Sequence, residues 1–196
     1  MLKSQRIALL VDSENLEISV SRFYEPAKAL RQTHLAYPDW LKIIEKVVGN
    51  RTLVRNIYYK KRERSVSRKF QEFWEKRLDG EIKQPIKSVD PYIIVDAITL
   101  AEKADVVVLL AGDKDYLPLI WYLKSKGCKV EMAAFPDAVS AHVREAADNF
   151  HELAVQDTVV LAKSAPKEEP PKPKQEKRPA RKRRSTAKRP KKPKSG

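Results

Sequence analysis

Three short segments hold the residue types that could do acid or metal chemistry. Val11-Asp12-Ser13-Glu14-Asn15 follows an apolar run, and Gly112-Asp113-Lys114-Asp115 follows the most apolar run of the chain. Between them, Lys87-Ser88-Val89-Asp90-Pro91 leads into a helical pattern that carries Asp96. Carboxylates are hard oxygen donors, the kind that Mg²⁺ or Mn²⁺ takes, with waters completing an octahedron. An ion held by Asp12, Asp96, Asp113 and Asp115 would activate a water and stabilise the leaving oxygen in phosphodiester hydrolysis. Asp96 has Ile93 at i−3 and Leu100 at i+4, so its charge lies at the margin of an apolar stripe and needs compensation. Each residue alone also has a plain structural reading. Asp12 could end a strand and cap a helix, Asp115 could cap the helix that follows it, and Asp96 could pair with Lys103 or Lys87. Taken jointly, carboxylates at several strand ends and on one helix favour the metal.

The elements that must position them follow from hydrophobic period, which switches repeatedly between strand and helix. Strands are expected over residues 6–11, 52–59, 81–86, 106–111 and 128–134, the continuous runs among them being of the kind buried on both faces. Pro85 weakens the third. Residues 16–32 are mixed, partly helical and interrupted at Pro26. A helix is expected from about Pro38, with Trp40, Ile43, Ile44, Val47 and Val48 as its buried stripe and Gly49 as its cap. Further helices are expected over 65–78, 91–103, 116–126 and 138–148. That alternation predicts an α/β fold, a mainly parallel sheet flanked by helices in a Rossmann-like three-layer arrangement. In such a sheet, ligands bind beyond the carboxyl ends of the strands, where Asp12, Asp113 and Asp115 fall.

Charge divides the chain into a domain over 1–162 and a tail over 163–196. The 196 residues carry 40 Lys+Arg against 26 Asp+Glu, a formal +14. Residues 163–196 account for 15 against 3, or +12, which leaves 25 against 23, or +2, for the domain. The tail has seven of the thirteen prolines and almost no apolar residue, so it is expected to be disordered. Its run Arg181-Lys182-Arg183-Arg184 is expected to bind nucleic acid in a salt-sensitive, sequence-independent way, or to serve nuclear import in a eukaryote. Within the domain, Lys60, Lys61, Arg62, Arg64 and Arg68 form a second basic patch at the start of the helix over 65–78, with Arg64 and Arg68 on one solvent face.

One cysteine, Cys128, excludes an internal disulfide and a cysteine zinc cage, and His34, His142 and His151 have no ligand-like spacing. No stretch is long and apolar enough to span a membrane, and the start lacks the features of a secretion signal. A cytoplasmic protein without a membrane partner is expected. The sequence leaves room for a homo-oligomer without specifying one.

Two other aspartate-based or phosphate-binding classes fail. A haloacid-dehalogenase phosphatase needs Asp-x-Asp after the first strand, where this chain has Asp12-Ser13-Glu14. A P-loop or dinucleotide fold needs a glycine-rich first turn, and residues 12–15 contain no glycine.

At these segments the chain resembles an NYN domain, of the PIN-like nuclease group that includes LabA-type proteins. The family's first strand leads to an aspartate and, three residues on, an asparagine, matched by Asp12 and Asn15. Its Lys-Gly-Val-Asp motif, with a second aspartate six residues later, is matched by Lys87, Asp90 and Asp96. A Ser-Gly-Asp-x-Asp-Phe motif is matched in part by Gly112, Asp113, Asp115 and Tyr116, and a closing Ala-Asp-x-Phe by Ala147-Asp148-Asn149-Phe150. The matches run in order over roughly 6–154. They imply a Mg²⁺- or Mn²⁺-dependent endoribonuclease acting on single-stranded RNA, leaving a 5′-phosphate and a 3′-hydroxyl. Asn15, Lys87 and Asp90 would then support the acidic cluster. Three positions depart from the pattern. Ala111 replaces a serine, Ser88 replaces a glycine, and Lys114 puts a cation between two expected ligands, where it could meet a substrate phosphate. The alternative is a nucleic-acid-binding module with a structural acidic cluster; a third reading is a DNA-acting protein.

Overall fold

The structure, a computed structural model, describes residues 4–23 and 34–162. Backbone contacts divide the chain into Met1–Lys163 and Ser164–Gly196. The tail, including Arg181, Lys182, Arg183 and Arg184, lies outside the described residues, as does the expected interruption at Pro26.

Six parallel strands form the main sheet. They are β1 (Arg6–Asp12), β3 (Thr52–Tyr59), β4 (Glu81–Lys83), β5 (Val106–Leu110), β6 (Lys129–Ala134) and β7 (Asn149–Glu152), in the order β4-β3-β1-β5-β6-β7. The helices are α1 (Ser13–Phe23), α2 (Trp40–Val48), α3 (Arg68–Arg77), α4 (Asp90–Leu100), α5 (Leu117–Ser125) and α6 (Ala141–Ala146). A second, antiparallel pair joins β2 (His34–Pro38) to β8 (Thr158–Ala162). Among the described residues no helix is long and apolar enough to cross a membrane.

The apolar run of β1 is buried on both sides, and its two alternating sets feed two cores. Ala8 and Leu10 pack with Ile93 and Ala97 of α4, Ile120 and Leu123 of α5, and Val143 of α6. Ile7, Leu9 and Val11 pack with Leu16 of α1, Ile43 and Val47 of α2, and Trp74 of α3. The result is the expected three-layer sandwich. β1 lies at its centre, and the chain visits β3 and β4 on one side before crossing to β5, β6 and β7 on the other. The carboxyl ends of β1 and β5 therefore flank the crevice where the strand order reverses, the usual ligand position in such sheets.

Four expectations need correction. Pro38 ends β2 instead of opening a helix, and Asp39 takes the cap of α2 by accepting from the Lys42 N–H at 3.4 Å. A proline is tolerated there because β2 has a partner on one side only. The helix expected from 65 begins at Arg68, because the Ser67 hydroxyl accepts the Phe70 N–H and fixes the start. Arg64 lies four residues before that start, so the helix face it was expected to share with Arg68 does not form. The helix expected over 138–148 is shortened to α6 by a Ser140 cap, and β7 follows it. The strands β2, β7 and β8 had no counterpart in the expected order.

Candidate functional site

Asp12 is the last residue of β1, on the face shared with Ala8 and Leu10 and covered by α4 and α5. Its side chain is fixed at both oxygens. Oδ1 accepts the Asn15 N–H at 3.1 Å, the α1 cap, and Oδ2 lies 3.3 Å from the Tyr116 hydroxyl. Tyr116 ends a 3₁₀ turn over Lys114–Tyr116 that leads into α5, and its hydroxyl is also 2.9 Å from Asp90 Oδ1. Asp90 opens α4, and its Oδ2 accepts from the Ser88 hydroxyl at 2.6 Å. A cleft of about 190 Å³ runs past these groups, lined by Asp12, Glu14, Asn15, Lys61, Asp90 and Asp113 among others. Asp12 is 6% exposed. Burial pushes its carboxyl up to about 6, with the charges of Asp90 and Glu14 adding and the Asn15 N–H opposing.

Asn15 ties the two strand ends together. Its Oδ1 accepts the Gly112 N–H at 3.0 Å, joining the end of β1 to the turn after β5. Gly112 is required by close approach, since a Cβ there would overlap the Ala138 carbonyl. Asp113 is exposed and accepts the Asp115 N–H at 3.0 Å, which caps the 3₁₀ turn, while the helix that Asp115 could have capped starts after Tyr116 with no side-chain cap. Lys114 and Asp115 are exposed and stand outside the lining of the cleft.

The structure separates Asp96 from this group. Its carboxylate accepts from the Tyr59 hydroxyl at 2.5 Å and from Lys83 Nζ at 2.8 and 3.0 Å, and it lines a second cleft of about 520 Å³ with Arg55, Glu81, Lys83 and Lys103. Six residues of helix carry a side chain roughly 9 Å along the axis and onto another face, so Asp90 and Asp96 cannot converge. The charge is compensated by a lysine, but by Lys83, which β4 places beside Tyr59. Burial raises the Tyr59 hydroxyl, and the Asp96 charge raises it further.

Among the described residues no three of His, Cys, Asp and Glu come together closely enough to hold a metal by themselves. The expected cage of four aspartates is thus not assembled. What the fold brings together is the pair Asp12 and Asp90, with Asp113 and Glu14 on the rim. Neither member of the pair has a cationic partner among the described residues. Two uncompensated carboxylates at an open cleft fit Mg²⁺ or Mn²⁺ in its water-rich mode, in which one or two carboxylates and substrate phosphates suffice.

The expected basic patch is largely engaged with α1. Lys60 pairs with Glu17 at 2.8 Å, Lys61 with Glu14 at 3.0 Å and Arg64 with Glu14 at 3.8 Å, while Arg68 pairs with Glu72 of its own helix at 3.1 Å. Arg62 and Lys87 are exposed. Sequence reasoning missed three groups at the cleft: Glu14, the Tyr116 hydroxyl and the Ser88 hydroxyl. The signal for Glu14 was its place two residues after Asp12, in the first turn of α1. For the two hydroxyls there was none beyond proximity in sequence to an aspartate.

Among solved structures, the chain is similar to a crystallised protein of unknown function from Vibrio parahaemolyticus, with a TM-score of 0.64 and 21% identity. The match covers 81% of this chain and 99% of that one, and at this identity it speaks for the fold. No curated protein matches. The sequence model of the NYN domain matches residues 6–154, which include every strand end and loop of the cleft. This chain belongs to the NYN domain family, with that family's nuclease-like fold.

Proposed function

We propose that the protein is a Mg²⁺- or Mn²⁺-dependent endoribonuclease that hydrolyses phosphodiester bonds of single-stranded RNA in the cytoplasm. One observation carries the reading. Asp12 and Asp90, from different elements, meet without a cationic partner in the crevice where the sheet changes direction. These two residues would hold the cation, with Asp113 at the rim. A divalent ion there supplies Lewis-acid chemistry and a water of lowered pKa. Asn15 keeps the ends of β1 and β5 in register, and the Asn15 N–H and the two hydroxyls orient the carboxylates. Lys61 borders the cleft and would exchange Glu14 for an incoming phosphate. The basic tail would add affinity that reads charge and not sequence.

A second reading, a binding module without catalysis, is favoured by the absence of a three-carboxylate group among the described residues. One experiment separates the two. A 5′-labelled single-stranded RNA is incubated with the protein in Mn²⁺, in Mg²⁺ and in EDTA, and the product ends are mapped. Internal cuts bearing 5′-phosphates that vanish in EDTA support the nuclease. RNA that is bound but stays intact under all three conditions contradicts it.

A further inference from the structure

Every carboxylate oxygen of the pair has a protein partner, and three of these four contacts come from two hydroxyls. The Tyr116 hydroxyl is 3.3 Å from Asp12 Oδ2 and 2.9 Å from Asp90 Oδ1, while the Ser88 hydroxyl is 2.6 Å from Asp90 Oδ2. Asn15 N–H supplies the fourth, to Asp12 Oδ1. Ser88 is itself held, since its oxygen accepts the Asp90 N–H at 3.3 Å. Tyr116 is 1% exposed, so its ring is fixed by the core between β1, α4 and α5 and its hydroxyl cannot swing away. Both hydroxyls stand where the family motif has a side chain without one: phenylalanine at Tyr116 and glycine at Ser88. Both act on the same carboxylate, Asp90.

We infer that Tyr116 is a positioning residue, its hydroxyl and that of Ser88 holding Asp12 and Asp90 as a pre-assembled pair for a divalent cation. The inference rests on the metal-dependent reading above. Two carboxylates in one cleft repel, and without a donor between them the half-buried Asp90 side chain is free to rotate out. The single hydroxyl proton goes chiefly to Asp90 Oδ1, the nearer oxygen at 2.9 Å, with Asp12 Oδ2 at 3.3 Å on the longer arm of a shared bond, and this keeps both carboxylates aimed at a common point. Each carboxylate oxygen accepts through two lone pairs, so one contact apiece leaves a lone pair for a cation. Groups that orient ligands in this way commonly contribute 10- to 100-fold to metal affinity.

The test is Mn²⁺ binding by the full chain without RNA, followed by titration calorimetry, beside the thermal midpoint in EDTA. Tyr116→Phe is expected to bind Mn²⁺ about 10- to 100-fold more weakly than wild type. Ser88→Ala is expected to weaken binding to a smaller extent, and Ser88→Thr, which keeps a hydroxyl, to restore it. A role in packing alone would move the midpoint and leave the Mn²⁺ affinity unchanged. Tyr116→Phe that binds Mn²⁺ as tightly as wild type, or more tightly, overturns the inference while leaving the metal site standing. Should that variant not fold, wild-type affinity in Ser88→Ala overturns it instead. A wild-type chain that binds no Mn²⁺ removes the metal reading and this inference together.

Discussion

Asp12 is buried at 6% exposure beside a second carboxylate, and its carboxyl is pushed from 3.8 up to about 6, chiefly by burial. A folded-state value above the unfolded one means that the folded chain binds the extra proton between them. The stabilisation is therefore full below about pH 4 and is lost as pH rises to about 6. Above that window the ionised group destabilises the metal-free domain by an amount on the order of 2–3 kcal/mol. Asn at this position keeps the acceptor for the Asn15 N–H and carries no charge. In EDTA, Asp12→Asn should be more stable than wild type at pH 8 by roughly that amount, with the gap closing below pH 4. Urea denaturation at the two pH values reads this directly. Equal stability at pH 8 would show that the burial of Asp12 is not costly.

At the scale of elements, the cleft depends on the ends of β1 and β5 staying side by side. Gly112 lies where the β5 turn presses on the Ala138 carbonyl and donates to Asn15. Gly112→Ala should cost about 1–3 kcal/mol, the range for forcing atoms into a packed site. Chemical denaturation checks it, and a loss below about 0.5 kcal/mol would show that the turn gives way freely. The apolar runs placed strands correctly because a parallel sheet buried on both faces leaves a continuous apolar signature. The strand expected over 52–59 is β3 with the same bounds. Asp12 and Asp113 were legible for the same reason, as polar residues directly after such runs. The strands β2 and β8 were not legible, since Tyr37 meets Val159 across more than a hundred residues and neither segment alternates clearly. The partner of Asp96 was hidden because it depends on the three-residue strand β4, whose Lys83 pairs in register with Tyr59. The patch around Lys61 looked free because Glu14 and Glu17 reach it from α1, which the sequence does not bring near.

For the whole molecule, charge and core are carried by different parts of the chain. Residues 163–196 hold +12 of the formal +14, and several domain cations are already paired with carboxylates. Removing the chain after residue 163 should leave the thermal midpoint unchanged and weaken RNA binding most at low salt. The slope of log K against log salt should flatten, because fewer counterions are released. An unchanged affinity and slope would place binding in the domain. Whether Asp12 at the end of β1 and Asp90 at the start of α4 form a metal-dependent nuclease centre is decided by Asp90→Asn. Single-turnover cleavage of a labelled single-stranded RNA should be measured for wild type and variant in Mn²⁺, with folding checked by circular dichroism. Wild type is expected to cleave, and a folded variant to lose at least a hundredfold, about 2.7 kcal/mol of barrier. A folded Asp90→Asn that cuts at the wild-type rate would contradict this.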